Sequence, residues 1–227
     1  MKQSVENIGN IIAEPSTAFS ALKSQPRWGI AFVVFYVVSI LIGWAMMPYS
    51  ETLIDIELAK NDLQSEQLEA AKNVAQIMKN VGVFIFPLVA LLGFIIGSAL
   101  LKLAARVLVK NEALEFRSIY AAIVHISLIG CLIQLVNAAL LLVFRNPESV
   151  KSAIDLKMIP GLHLLFSSSG NIKLLTFLSY INPLNLWVIA VVAIAVAEFT
   201  GIEKSRARIA AVILWGLSIL PEVILTS

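Results

Sequence analysis

The sequence predicts an all-α polytopic membrane bundle with five transmembrane helices. Three observations carry this. The 227 residues are 59% hydrophobic and only 14% charged, against about 25% charged in a soluble domain. The mean hydropathy is +0.86, more apolar surface than a soluble fold of this size can hide in one core. The apolar residues also collect in five runs of about the length needed to cross hydrocarbon.

The runs cover residues 28–47, 81–101, 119–144, 184–199 and 209–225. The second continues as a helix toward Val109. The fourth is short and needs flanking residues to reach span length. Trp28 and Trp44 bracket the first run and Trp187 lies near one end of the fourth, as interfacial anchors do. Trp215 falls mid-span and reads as a packing residue. The first run starts too late and is too long for a signal peptide, and no small-residue cleavage pattern follows it. It is expected to remain as a helix, within a single domain over 1–227.

Orientation follows from Lys and Arg. With a cytoplasmic N-terminus, ten of them fall inside and seven outside. The inside charges, such as Lys102, Arg106, Lys110, Lys204, Arg206 and Arg208, crowd the span ends. The first outer loop instead carries Glu51, Asp55, Glu57, Asp62, Glu66 and Glu69. The expectation is N-in and C-out.

Residues 1–27 are patterned. Ile8, Ile11, Ile12, Ala18, Phe19 and Leu22 recur at helical spacing, and Pro15 suits the first turn of a second short helix. This predicts a helix pair, either lying on the inner leaflet with its apolar side down or packed beneath the bundle by protein contacts. In the first outer loop, Ser65 and Glu66 form a helix start, and Leu68, Ala71, Val74 or Ala75, and Met78 share a face. In the second outer loop, Asn146-Pro147-Glu148 opens a helical turn. Residues 159–181 are apolar but broken by Pro160-Gly161 and by Ser167-Ser168-Ser169-Gly170, so they read as interfacial or re-entrant rather than spanning.

Polar residues inside a span are the default functional candidates. In the third run Ser127, Gly130, Gln134 and Asn137 fall within an arc of about 80°. That stripe forms helix–helix hydrogen bonds, at about 1 kcal/mol each, or lines a hydrated path. His125 points away, about 10 Å inside the span. It reads as a neutral imidazole bonded to a neighbouring helix, with a proton relay as the functional alternative. Glu198 is expected to pair with Lys204 or Arg106, or else to ligate an ion. Glu222 is expected to be solvated near the outer interface. Gly93 and Gly97 form a GxxxG match for close helix packing within or between chains, and Pro87 is positioned to kink the second span.

Other classes find no support. Cys131 is the lone cysteine, and with no HxxxH or CxxC pattern no metal site is expected. Phosphate-loop, GxGxxG, GxSxG and HExxH motifs are missing, so neither enzymatic activity nor a cofactor is expected. A net charge of +2 points away from nucleic acid.

Several short motifs resemble one family. They are Glu14-Pro15-Ser16-Thr17-Ala18-Phe19 followed by Trp28, then Phe116-Arg117-Ser118-Ile119-Tyr120-Ala121-Ala122 ahead of the third span. Asn182-Pro183-Leu184-Asn185-Leu186-Trp187, Thr200-Gly201-Ile202 and Lys204-Ser205-Arg206-Ala207 complete the set. Together they resemble the YIP domain family of Ypt/Rab-interacting proteins, and most closely its bacterial branch. Glu198 departs from the family, where a small residue is expected. The resemblance implies five spans, a cytoplasmic N-terminus and a place in the bacterial inner membrane. It also implies interaction and membrane organisation rather than catalysis. The family's eukaryotic members work with Rab GTPases through a long cytoplasmic tail, for which this chain offers 27 residues, so architecture carries over and mechanism does not. The leading expectation is a non-enzymatic scaffold whose partners are the bilayer and other membrane proteins, or a second copy through the second span. The alternative is a small transporter or permease subunit using the polar stripe.

Overall fold

A computed structural model describes residues 2–60, 64–109, 114–166 and 169–226. Every regular element among them is helical: α1 (Lys2–Ala13), α2 (Pro15–Ser24), α3 (Gly29–Lys60), α4 (Ser65–Val109), α5 (Phe116–Phe144), α6 (Ile172–Ser179), α7 (Pro183–Thr200) and α8 (Lys204–Leu225). Short 3₁₀ segments at Pro147–Ser149, Ala153–Leu156 and Leu162–Phe166 connect α5 to α6. Helices α3, α4, α5, α7 and α8 are long and apolar enough to cross a membrane, which bears out the five spans. Lys110, Asp62 and the Ser167-Ser168 pair lie outside the described residues.

The span boundaries follow local chemistry. Helix α7 starts where the Asn182 side chain accepts from the Asn185 amide at 3.0 Å, with Pro183 in its first turn. It ends at Gly201, whose φ of +72° is the left-handed closing position that glycine takes without strain. The resulting 18 residues rise about 27 Å, so the fourth span reaches its length by borrowing Pro183 and Thr200.

Helices α3 and α4 run much further. Their 32 and 45 residues rise about 48 Å and 67 Å, against a hydrocarbon core of about 30 Å. Helix α3 continues through Pro48 to Lys60. Its last turns and the first turns of α4 therefore form a hairpin that projects from the face opposite the N-terminus. Lys79 pairs with Glu51, and Lys72 lies 3.8 Å from Asp55. Ala75 turns toward α3 while Val74, Ile77 and Met78 stay exposed.

The N-terminal helices bind protein with their apolar face. Ile11, Ala18, Phe19 and Leu22 are fully buried in a core shared with Ile119 and Ala122 of α5 and with Val191, Ala195 and Phe199 of α7. The Phe19 ring meets Phe199 edge-on at 6.0 Å. Ser20 Oγ donates to the Glu198 carboxylate at 2.8 Å and Lys23 Nζ to the Glu198 carbonyl at 2.8 Å. This face is thus withdrawn from lipid, while Val5 and Ile12 remain exposed on the outer side of α1.

The GxxxG pair does not make a close crossing inside the chain. A Cβ at Gly93 would meet nothing within 4 Å, and one at Gly97 would touch only Ile123 at 3.7 Å. The close approach of α3 and α4 falls at Gly43, where a Cβ would meet Val83 at 3.2 Å. On α5, the Tyr49 hydroxyl of α3 shares its hydrogen between the Leu141 and Arg145 carbonyls, at 3.0 and 2.9 Å. The Arg145 carbonyl lies past the last turn of α5, and the Leu141 carbonyl also accepts from the Arg145 amide at 2.9 Å.

Candidate functional site

The connection after α5 folds back over the end of that helix. Arg145 lies 3.3 Å from Asp155. Asp155 accepts from the Lys151 and Ser152 amides, both at 3.0 Å. Asn137 then holds the strip above it from within the span. Its Nδ2 donates to the Leu156 carbonyl at 2.8 Å, and its Oδ1 accepts from the Met158 amide at 2.9 Å. An asparagine in a span satisfies both ends of its amide this way, where an unpaired one would be costly. The tie is to a loop rather than to a neighbouring helix. The Asn146-Pro147-Glu148 start yields one 3₁₀ turn.

The second support is the Leu162–Phe166 segment. The Leu162 amide donates to the Ile181 carbonyl at 3.1 Å. Gly161 allows this approach, since a Cβ there would stand 3.0 Å from the Ser179 carbonyl. His163 is buried beside it, and burial lowers its pKa below the ordinary histidine value. Leu164, Leu165 and Phe166 stay exposed, a pattern suited to an interfacial loop.

Beneath this roof lies a cavity of about 510 Å³ between α5, α7 and α8. Gly130, Gln134 and Asn137 line it, with Asn185 of α7 and Trp215, Ser218 and Glu222 of α8. Three of the four stripe residues therefore face open space. Ser127 does not, and its hydroxyl donates back to the Val124 carbonyl at 2.7 Å. Asn137 is spent on the roof, so Gln134 is the stripe's available polar group. Its side chain has no hydrogen bond to the described residues. At the rim, Lys157 Nζ is 2.5 Å from Glu222 and 4.7 Å above the Tyr180 ring. The Tyr180 hydroxyl donates to Glu222. Burial raises the Tyr180 pKa above the ordinary phenol value, and the Glu222 carboxylate raises it further.

His125 and Glu198 stand apart from this cavity. His125 is fully buried on the side of α5 that carries Ala121 and Ile129, in the core shared with α7. Its Nδ1 is 2.7 Å from the Ala121 carbonyl, a bond within its own helix rather than to a neighbour. Nε2 has no partner among the described residues. Glu198 takes its hydrogen bond from Ser20 of α2, where a cation had been the expected partner. Glu222 is not simply solvated but belongs to the rim. Among the described residues no three His, Cys, Asp or Glu side chains gather as a metal site would.

Lys157, Tyr180 and Asn185 were not candidates in the sequence. Asn185 carried a faint signal, as a second asparagine one turn from Asn182. Lys157 and Tyr180 carried none, since nothing local ties them to Glu222.

The Yip1 domain family model matches residues 9–224, nearly the whole chain. The chain belongs to the Yip1 family. The resemblance read from the short motifs is thereby borne out, and the match takes in the projecting hairpin and the loops that roof the cavity. With five apolar helices, this Yip1-family member is a multi-pass integral membrane protein. No curated protein and no solved structure matches it.

Proposed function

We propose that this Yip1-family chain is a non-enzymatic scaffold that organises other membrane proteins around it. The reading places it in a bacterial inner membrane, N-in and C-out, in accord with the Lys and Arg distribution. The observation that carries it is the α3–α4 hairpin. Both helices outrun the bilayer, and the projecting part exposes Val74, Ile77 and Met78 beside Glu66, Glu69 and Lys72. An apolar strip rimmed by charge outside the membrane is a protein-recognition surface. A photo-crosslinking residue at Ile77 in native membranes at endogenous expression should give discrete adducts with another membrane protein. Adducts to lipid alone would sink the proposal.

A second reading, a small permease, rests on Gln134 standing unpartnered in the cavity. It predicts solute flux in proteoliposomes that falls on Gln134→Leu. The apolar half of the bundle below the cavity weighs against it, because a polar solute crossing there would leave every hydrogen-bond partner behind.

A further inference from the structure

A second cavity of about 540 Å³ lies nearer the N-terminal face, between α4, α5, α7 and α8. It meets the polar cavity at Ser218, which lines both. The shared walls are continuous. On α5, Ile119, Ala122 and Ile126 line the inner half and Gly130, Gln134 and Asn137 the outer half, all at helical spacing. On α7, Phe199, Ala195 and Val192 lead to Val188 and Asn185. Helix α7 packs against both α5 and α8, which hardly meet each other. The two cavities are therefore halves of one groove along α7.

The halves differ in chemistry. The inner wall is apolar. Its two hydroxyls, Ser218 and Thr200, are bonded to the Trp215 and Val196 carbonyls at 2.7 and 2.6 Å. The outer half offers the Gln134 and Asn185 amides and ends at the rim, where one cation and one anion sit together. Such a groove rejects a soluble polar molecule in its inner half. An uncharged apolar molecule would cover the amides of its outer half and leave them unpaired, which is unfavourable. An amphiphile with a long chain and a polar head satisfies both. The paired signs of Lys157 and Glu222 match a head that carries both charges, whereas a purely anionic head would face Glu222.

We propose that the groove holds one zwitterionic phospholipid. Its phosphate would lie at Lys157, its ammonium at Glu222, and one acyl chain along α7 toward the N-terminal face. The surrounding bilayer supplies this ligand laterally, between α5 and α8.

The test uses the full chain, purified in mild detergent, stripped of lipid, and studied by native mass spectrometry. Phosphatidylethanolamine and phosphatidylglycerol are added back separately. The expected result is one phosphatidylethanolamine per chain, held about tenfold more tightly than phosphatidylglycerol. Gly130→Trp should abolish this retention. Gly130 lines the cavity and an added Cβ there meets nothing within 4 Å, so the large side chain fills the groove rather than the core. Glu222→Gln removes the ammonium's partner and should bring the two lipids to similar retention. That variant keeps the question decidable if Gly130→Trp does not fold. Equal retention of both lipids by the wild type, retention unchanged in the variants, or no retained lipid would each overturn the proposal. The outcome is separate from the hairpin crosslinks, so either proposal can fail alone.

Discussion

Lys157 and Glu222 are 65 residues apart in the chain and 2.5 Å apart in space. One sits in the loop after α5 and the other near the end of α8, so their contact ties the roof of the cavity to the last span. Both are partly exposed, and solvent screens the pair. A double-mutant cycle of Lys157→Met and Glu222→Gln should give a coupling of about 0.5–1 kcal/mol, within the range of exposed ion pairs. Thermal unfolding in detergent measures it.

Tyr180 should ionise late. Burial and the Glu222 carboxylate both favour its neutral form, so its folded pKa lies above the unfolded value of about 10. Its contribution to stability is complete below that unfolded value and is lost as pH rises through the folded pKa. Ultraviolet difference titration, with Tyr180→Phe as the subtraction, should show no phenolate from this residue at pH 10.

His163 gives the opposite limit. Burial lowers its pKa, so the fold favours the neutral ring. Its stabilisation is present above the unfolded value near 6.5 and is lost as pH falls through the lower folded value. The protection of the Leu162–Phe166 amides, measured against the intrinsic exchange rate at each pH, should therefore fall on acidification below the unfolded value. His163→Gln should flatten that dependence.

Asn137→Leu should loosen the roof without disturbing the span. It strips two hydrogen bonds from the Leu156–Met158 backbone, and leaving such groups unpaired costs about 1–3 kcal/mol. Protease sensitivity between α5 and α6 should rise while helical circular dichroism stays constant.

Two glycines separate a motif from a contact. Gly43→Val presses on Val83, a neighbour already at 3.2 Å from the first added carbon, and should cost about 1–3 kcal/mol as overpacking does. Gly93→Ala should leave the stability of the isolated chain unchanged within about 0.5 kcal/mol. Equal effects at the two positions would refute this account of the α3–α4 crossing.

The spans were legible because hydropathy and end chemistry report the same thing locally. The run at 184–199 stops one residue short of each end of α7. The stripe on α5 was legible as a face, since helical spacing fixes which residues share a side. What that face meets was not legible. Asn137 finds a backbone 19 residues further on, and Glu222 finds a lysine and a tyrosine from two different connections. Those pairings depend on how loops close, and loop closure leaves no periodic trace. GxxxG misled within the chain for a related reason. Small residues permit a close approach, but the neighbour's position decides whether one occurs.

The burial of Phe19 and Leu22 against α7 has a consequence for biogenesis. Ser20 and its partner Glu198 are 178 residues apart, so the docking surface for α2 stays incomplete, with only its α5 part, until the fourth span has left the ribosome and entered the membrane. The segment made first is among the last to settle. A chain arrested before α7 would leave Phe19 without Phe199 and Ser20 without Glu198, so seating of the first-made helices reports that the bundle is complete.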